Sequence, residues 1–206
     1  MILKWGMSVI TFNIKLQTIG LMPVKKLAIL LFVLILPLLV YADDNTKQQP
    51  FLLHKGAAGR LKLGMSKQEL YEHFDEKLTK LIDLKIEEHY CPAIAIYLDK
   101  ERMENNQQPN LIAEITQKDD WTVWRIRVYD KRFRTKEGIG IGSTYGELKS
   151  AYVDKYSFGW SALKEGTICL RVIKELKLHF EFNGWFTKER RDSIPDSTKF
   201  ESVVVH

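Results

Sequence analysis

The chain has 206 residues, with 31 Lys and Arg against 26 Asp and Glu, and two cysteines. Its formal net charge of +5 is unevenly placed: no acidic residue precedes Asp43, and the first 42 residues hold four of the lysines, so the remainder carries only +1. That balance argues against a nucleic acid partner, which needs a clustered basic excess, and two cysteines without CxxC spacing give no expected metal site.

Within the acid-free opening, Lys25 and Lys26 form a basic n-region and Leu27 to Leu39 an apolar h-region broken by Pro37. Val40-Tyr41-Ala42 then places small or branched residues at the −3 and −1 positions of a cut before Asp43. This order predicts a secretory signal peptide over 22–42. The apolar run Leu27 to Ala42 is 16 residues long, short of the roughly 20 that a spanning helix needs. No membrane span is therefore expected after cleavage, and the expected location is periplasmic or secreted. Met22 is a sufficient start, which makes 1–21 an expected extension upstream of the true initiation codon. No cysteine lies near the cut, so a lipid anchor is not expected.

Residues 43–55 read as a polar leader, and 56–206 as a single domain of two related halves, about 56–135 and 136–206. Ser66 followed by Glu69 predicts a capping box at the start of a helix, with Leu70, Tyr71 and Phe74 on one side. Thr144 and Glu147 repeat it, with Leu148, Ala151 and Tyr152 as the apolar stripe. Gly64 and Gly142 stand just before the caps, where a strand must turn sharply. The repeat is thus read as a duplicated piece of scaffold. After each start come strand-like runs: "LTKLIDLKI", "PAIAIYLD", "NLIAEIT" and "WTVWRIRVYD", then "TICLRVI", "LKLHFEF" and "FESVVVH". In the second half Ile168, Leu170, Val172, Leu176, Leu178, Phe180 and Phe182 share one parity, predicting a buried face. Arg171, Glu175, Lys177, His179 and Glu181 share the other, predicting a wet one. A tight reversal near Lys174-Glu175 keeps that parity through a hairpin. The fold class expected is α+β, with the helices packed on one face of an antiparallel sheet.

The two Gly–x–[Ser/Thr]–x–x–Glu-Leu starts, each followed by a meander, resemble modules of the β-lactamase inhibitor protein and of SmpA/OmlA-type small outer-membrane assembly lipoproteins. The resemblance covers the two helix starts only. It implies an exported binding module rather than an enzyme, and it transfers no contact residue. The lipidated cysteine of the lipoproteins is missing here.

No catalytic set is legible. The histidines (54, 73, 89, 179, 206) have no HExxH or HxH spacing, no serine lies in GxSxG, and "GIGIG" at 138–142 lacks the Lys-Ser/Thr of a phosphate loop. Glu87 and Glu88 are adjacent rather than facing. No cofactor is expected. The stretch from Trp121 to Lys136 is the candidate binding surface. Trp124, Ile126 and Val128 suit the core, whereas Trp121, Val123, Arg125, Arg127 and Tyr129 fall on the other parity, with Lys131, Arg132, Arg134 and Lys136 following. Aromatics mixed with guanidinium groups suit an acidic protein surface or an anionic headgroup; the alternative is a solvated face of internal ion pairs. Trp160 and Trp185, each after a glycine, are read as covers over the end of the core. Export to an oxidising compartment permits a Cys91–Cys169 disulfide, worth roughly 4 kcal/mol for a loop of that length; two separate buried thiols are the alternative. The expected function is binding to another envelope or secreted protein, as inhibitor, immunity factor or assembly accessory. The rivals are a carrier for a small apolar or anionic ligand and an enzyme with a dispersed Asp/Glu/His site.

Overall fold

In the computed structural model, which describes residues 50–86, 89–117, 119–161, 163–172 and 176–206, strands dominate. The expected extension, signal peptide and most of the leader, together with Glu87, Glu88 and the reversal at Lys174-Glu175, lie outside those residues. Three two-residue strands come first: β1 (Leu53–His54), β2 (Ala57–Ala58) and β3 (Leu61–Lys62), a small antiparallel sheet in that order. Helix α1 (Lys67–His73) leads into β4 (Thr79–Ile86) and β5 (His89–Ile96). A five-residue helix α2 (Lys100–Glu104) precedes β6 (Leu111–Ile115) and β7 (Val123–Val128). Helix α3 (Tyr145–Ala151) then opens the run of β8 (Ser157–Trp160), β9 (Ile168–Val172), β10 (Leu178–Phe182) and β11 (Phe200–Val205).

The last eight strands form one antiparallel sheet in the order β4-β5-β6-β7-β11-β10-β9-β8. It is two four-strand meanders joined through their final strands, and the described residues form one compact unit. The α+β expectation is therefore corrected: the helices do not form a layer over the sheet. At seven residues each, α1 and α3 are about 10 Å long, while eight strands are about 34 Å across. Helix α1 buries only Leu70, and α3 only Tyr145 and Leu148. The core face of the sheet is closed instead by the β1–β3 sheet (Leu53, Leu61) and by loop residues such as Phe133, Ile139, Ile141 and Ile194.

The repeated helix starts are built alike. Both capping boxes form, Ser66 with Glu69 and Thr144 with Glu147. Gly64 and Gly142 take φ of +80° and +85°, the left-handed region that costs a residue with a Cβ. The Gly64 N–H donates to Val123 O at 2.7 Å and the Val123 N–H to Met65 O at 2.9 Å. In the second half the Gly142 N–H donates to Phe200 O at 2.7 Å and the Phe200 N–H to Ser143 O at 2.9 Å. Each turn thus clasps the first residue of its own meander's last strand. Each meander also has a bulge directly after a glutamate, at Glu114/Ile115 and at Glu181/Phe182. With Val123 matched to Phe200, Arg127 matches Val204, and those two are Cα partners across the seam. An approximate two-fold axis therefore passes through the β7–β11 pair.

The disulfide expectation is also corrected. Cys91 and Cys169 are free thiols. They lie on β5 and β9, five strand spacings apart in the sheet, or about 24 Å, far beyond the roughly 7 Å Cα limit of a disulfide.

Because nothing lies within 4 Å of a Cβ built on Gly64 or Gly142, alanine there is strained by backbone alone. Gly64→Ala and Gly142→Ala are each expected to cost about 1–2 kcal/mol, and Ser66→Ala or Thr144→Ala about 1 kcal/mol. Urea unfolding midpoints check this; asparagine at either glycine should restore part of the loss.

Candidate functional site

Alternation along the strands gives the eight-stranded sheet a second face, opposite the core, and the polar residues of the central strands gather there. From β6 comes Glu114, from β7 Arg125 and Arg127, from β9 Cys169 and Arg171, and from β10 His179 and Glu181. The β7 part is the sequence-predicted surface, and it is internally paired. Glu114 is fully buried, with Arg125 Nη2 at 2.6 Å from its Oε2 and Arg127 Nε at 2.5 Å from its Oε1. The two guanidinium groups recover part of the cost of burying the carboxylate between them. Tyr129 is half-buried; burial raises its pKa while the Arg127 guanidinium pulls the other way.

The other predicted residues fall elsewhere. Trp121 is only 2 % exposed and belongs to the core, whereas Trp124 is 42 % exposed with the Arg125 guanidinium 4.4 Å from its ring centroid. The bulge is the reason: Ile115 pairs with Val123 and Glu114 with Arg125, so Trp124 is the extra residue and period-two counting fails across it. Arg132 lies in the loop after β7, over the Phe51 ring, with Nη2 at 2.6 Å from Asp130. Arg134 donates to Ile141 O at 2.8 Å and ties loop to loop. The six candidates therefore split among the core, the second face and a structural loop. Arg125, Arg127, Arg132 and Arg134 each have an internal partner.

What sequence reasoning missed lies on β9 and β10. Cys169 is the cross-strand partner of Glu181, and Arg171 of His179. The expected wet face is buried here: Cys169 and Glu181 are at most 1 % exposed and His179 8 %. The ligand-type atoms of Cys169, His179 and Glu181 all lie within 4.8 Å of one another. Ser161 Oγ donates to Glu181 Oε2 at 2.5 Å, and the His206 ring centroid is 4.0 Å from that of His179. Burial, then His206 and Arg171, lowers the His179 pKa to about 3; burial and then Arg125 lowers that of His206 to about 4. Both imidazoles are neutral at physiological pH. Burial, reinforced by Glu181, pushes the Cys169 thiol up to about 12. The signal was present in the sequence: the register Val172↔Leu178 sets Cys169 opposite Glu181 once the hairpin is drawn.

Beside this cluster, at the β8 edge, lies a half-open cleft of about 230 Å³ lined by Phe158, Gly159, Trp160, Arg171, Lys188 and Arg191. The 3-10 turn Lys188–Ser193 supplies the last two. Trp160 is 57 % exposed and Trp185 71 %, so neither covers the core as expected. Arg171 lies across Gly159, where a Cβ would fall 1.7 Å from its Nε, and its Nη2 donates to Trp160 O at 3.0 Å. Glycine is thus required for the guanidinium to rest at the cleft floor. A separate cavity of about 280 Å³ lies between the β1–β3 sheet and α1, with Phe51, Phe74, Phe133, Arg60 and His73 in its wall.

No family model and no curated protein matches the chain. Among solved structures it is similar to the uncharacterized protein YfeY from Escherichia coli, 13 % identical over 75 % of this chain and 98 % of that one, with a TM-score of 0.49.

The Asp130 network gives a pH prediction. Burial alone would raise the Asp130 pKa, but hydrogen bonds from the Arg132 side chain and backbone and from Asn110 hold it below its ordinary value. A carboxylate with a depressed folded pKa contributes stability that is present above its unfolded value, near 4, and lost as pH falls through the folded one. Asp130→Asn should flatten that part of the acid limb in unfolding titrations, and cost about 1–3 kcal/mol at neutral pH.

Proposed function

We propose that this chain is an exported protein that acts by binding, and that it engages an acidic segment of another envelope or secreted protein through the cleft at the β8 edge. One observation carries the reading: Arg171, Lys188 and Arg191 converge around the exposed Trp160 in a half-open cleft. Among the described residues the ion-pair partner of Arg191 is the exposed Asp192 at 3.4 Å, and an exposed pair of that kind contributes about 0–1 kcal/mol, so its charge is available to a partner. Trp and Arg together are the residue types most enriched at interface hot spots. An inhibitor, immunity or assembly-accessory role fits such a surface, and it is also what the resemblance of the two helix starts to exported inhibitor and assembly modules implies.

The carrier reading rests on the cavity near α1. Its volume of about 280 Å³ falls just under the usual range of about 300–1,000 Å³ for small-molecule sites. The enzymatic reading needs an activated group. Among the described residues, burial instead pushes the grouped Cys169 thiol up, which makes it a poor nucleophile.

The test is to immobilise the full chain, capture partners from envelope extract, and measure the captured protein's binding kinetics against variants. Lys188→Glu/Arg191→Glu should slow association by about tenfold or more and flatten its salt dependence, while Arg132→Ala, away from the cleft, leaves it unchanged. Equal association by the charge-reversed variant would sink the assignment.

A further inference from the structure

The approximate two-fold axis allows the two meanders to be compared position by position. Glu114 corresponds to Glu181, since each precedes the bulge and pairs with the matched residues Arg125 and Ser202. Ala93, opposite Glu114, corresponds to Cys169, opposite Glu181; Ile112, opposite Arg127, corresponds to His179, opposite Val204. At three equivalent places on the second face, the first half has Ala, Ile and Glu and the second has Cys, His and Glu. In the first half the glutamate is neutralised by Arg125 and Arg127. In the second half Ser202 and Val204 stand at those positions and supply no charge.

We propose that Cys169, His179 and Glu181 form a binding site for one divalent d-block cation of the zinc class. The site does not depend on the cleft reading above. The donors are those such an ion takes: a thiolate, an imidazole and a carboxylate. Their atoms lie within 4.8 Å of one another. Around an ion at about 2.0–2.3 Å from each ligand, donors sit somewhat under 4 Å apart, so closure by about 1 Å through side-chain rotation completes the site. A second observation points to a ligand: His179 Nδ1 is buried and has no hydrogen-bond partner, and neither has His206 Nε2 in the adjacent ring. Leaving a buried imidazole nitrogen unpaired is unfavourable, and a metal ligated there removes that cost.

Charge and access are consistent with this. Ionised Cys169 and Glu181 together neutralise a divalent ion, leaving Arg171 as an outer cation that favours the thiolate. On binding, the thiol loses its proton to buffer as the metal–sulfur bond forms, one proton per ion. Ser161, donating to Glu181 Oε2, orients the carboxylate as outer partners of metal ligands do. Gly159, on the cleft floor, is the direct cross-strand partner of Cys169, so the cleft lies beside the site. Three protein ligands leave a fourth position, with His206 the neighbouring imidazole.

Cobalt(II) added to the full chain, purified under reducing conditions, is the probe. The expected result is one ion per chain, with a near-ultraviolet thiolate-to-cobalt band and the intense visible bands of a four-coordinate ion, both displaced by zinc. Cys169→Ser should abolish the thiolate band and Cys91→Ser should leave it intact, while Ser161→Ala weakens binding about 10- to 100-fold. Wild type without the thiolate band overturns the proposal whatever the variants do. So does a band that follows Cys91. Circular dichroism of Cys169→Ser separates loss of a ligand from loss of the fold.

Discussion

The structure depends on one pairing, that of β7 with β11. Three residue pairs make the seam: Ile126 with Val205, Arg127 with Val204 and Val128 with Val203. Val203, Val204 and Val205 are all fully buried, and β-branched side chains suit a strand with both faces covered. Without this seam each meander would be a four-stranded sheet with two open edges, a liability for association. With it, the edges of the joined sheet are the first strands of the two meanders, β4 and β8. The Gly64 and Gly142 turns reinforce the seam from outside, because each is hydrogen-bonded to the residue that begins a seam strand.

Local features of this fold were legible because they depend on neighbours in sequence. The capping boxes at Ser66 and Thr144, the sharp turns at Gly64 and Gly142, and the buried parity of Ile168, Leu170, Val172, Leu178, Phe180 and Phe182 all follow from spacing alone. What failed depended on distant partners. Two predicted helices suggested a helical layer, but helix length decides what a helix can cover, and seven residues cover little. The bulge at Trp124 inverted the inside and outside of the Trp121–Val123 stretch, because one extra residue reverses a period-two pattern. Cys91 and Cys169 looked like partners by compartment and number, whereas strand order separates them across the sheet. The face called wet on β9 and β10 is buried where Cys169, His179 and Glu181 meet. Alternation distinguishes two faces but does not say that only one of them is covered.

The duplicated unit also shows where function is expected to reside. What the halves share is mechanical: turn, cap, meander and a bulge after a glutamate. What they do not share is the company of that glutamate. In the first half two arginines pair with it. In the second half a thiol and an imidazole stand beside it, next to a basic, aromatic cleft at an open edge. The arginine-rich strand that sequence reasoning favoured pairs its charges internally, and the proposed cation site lies on its counterpart.

Native-state hydrogen exchange resolved by NMR tests the central claim most directly, namely that the seam makes two meanders into one cooperative sheet. Ladder amides in β6–β7 and in β10–β11 should share a single, highest opening free energy, equal to that of global unfolding. Two distinct opening energies, one for each meander, with the β7–β11 amides exchanging before either, would contradict the account.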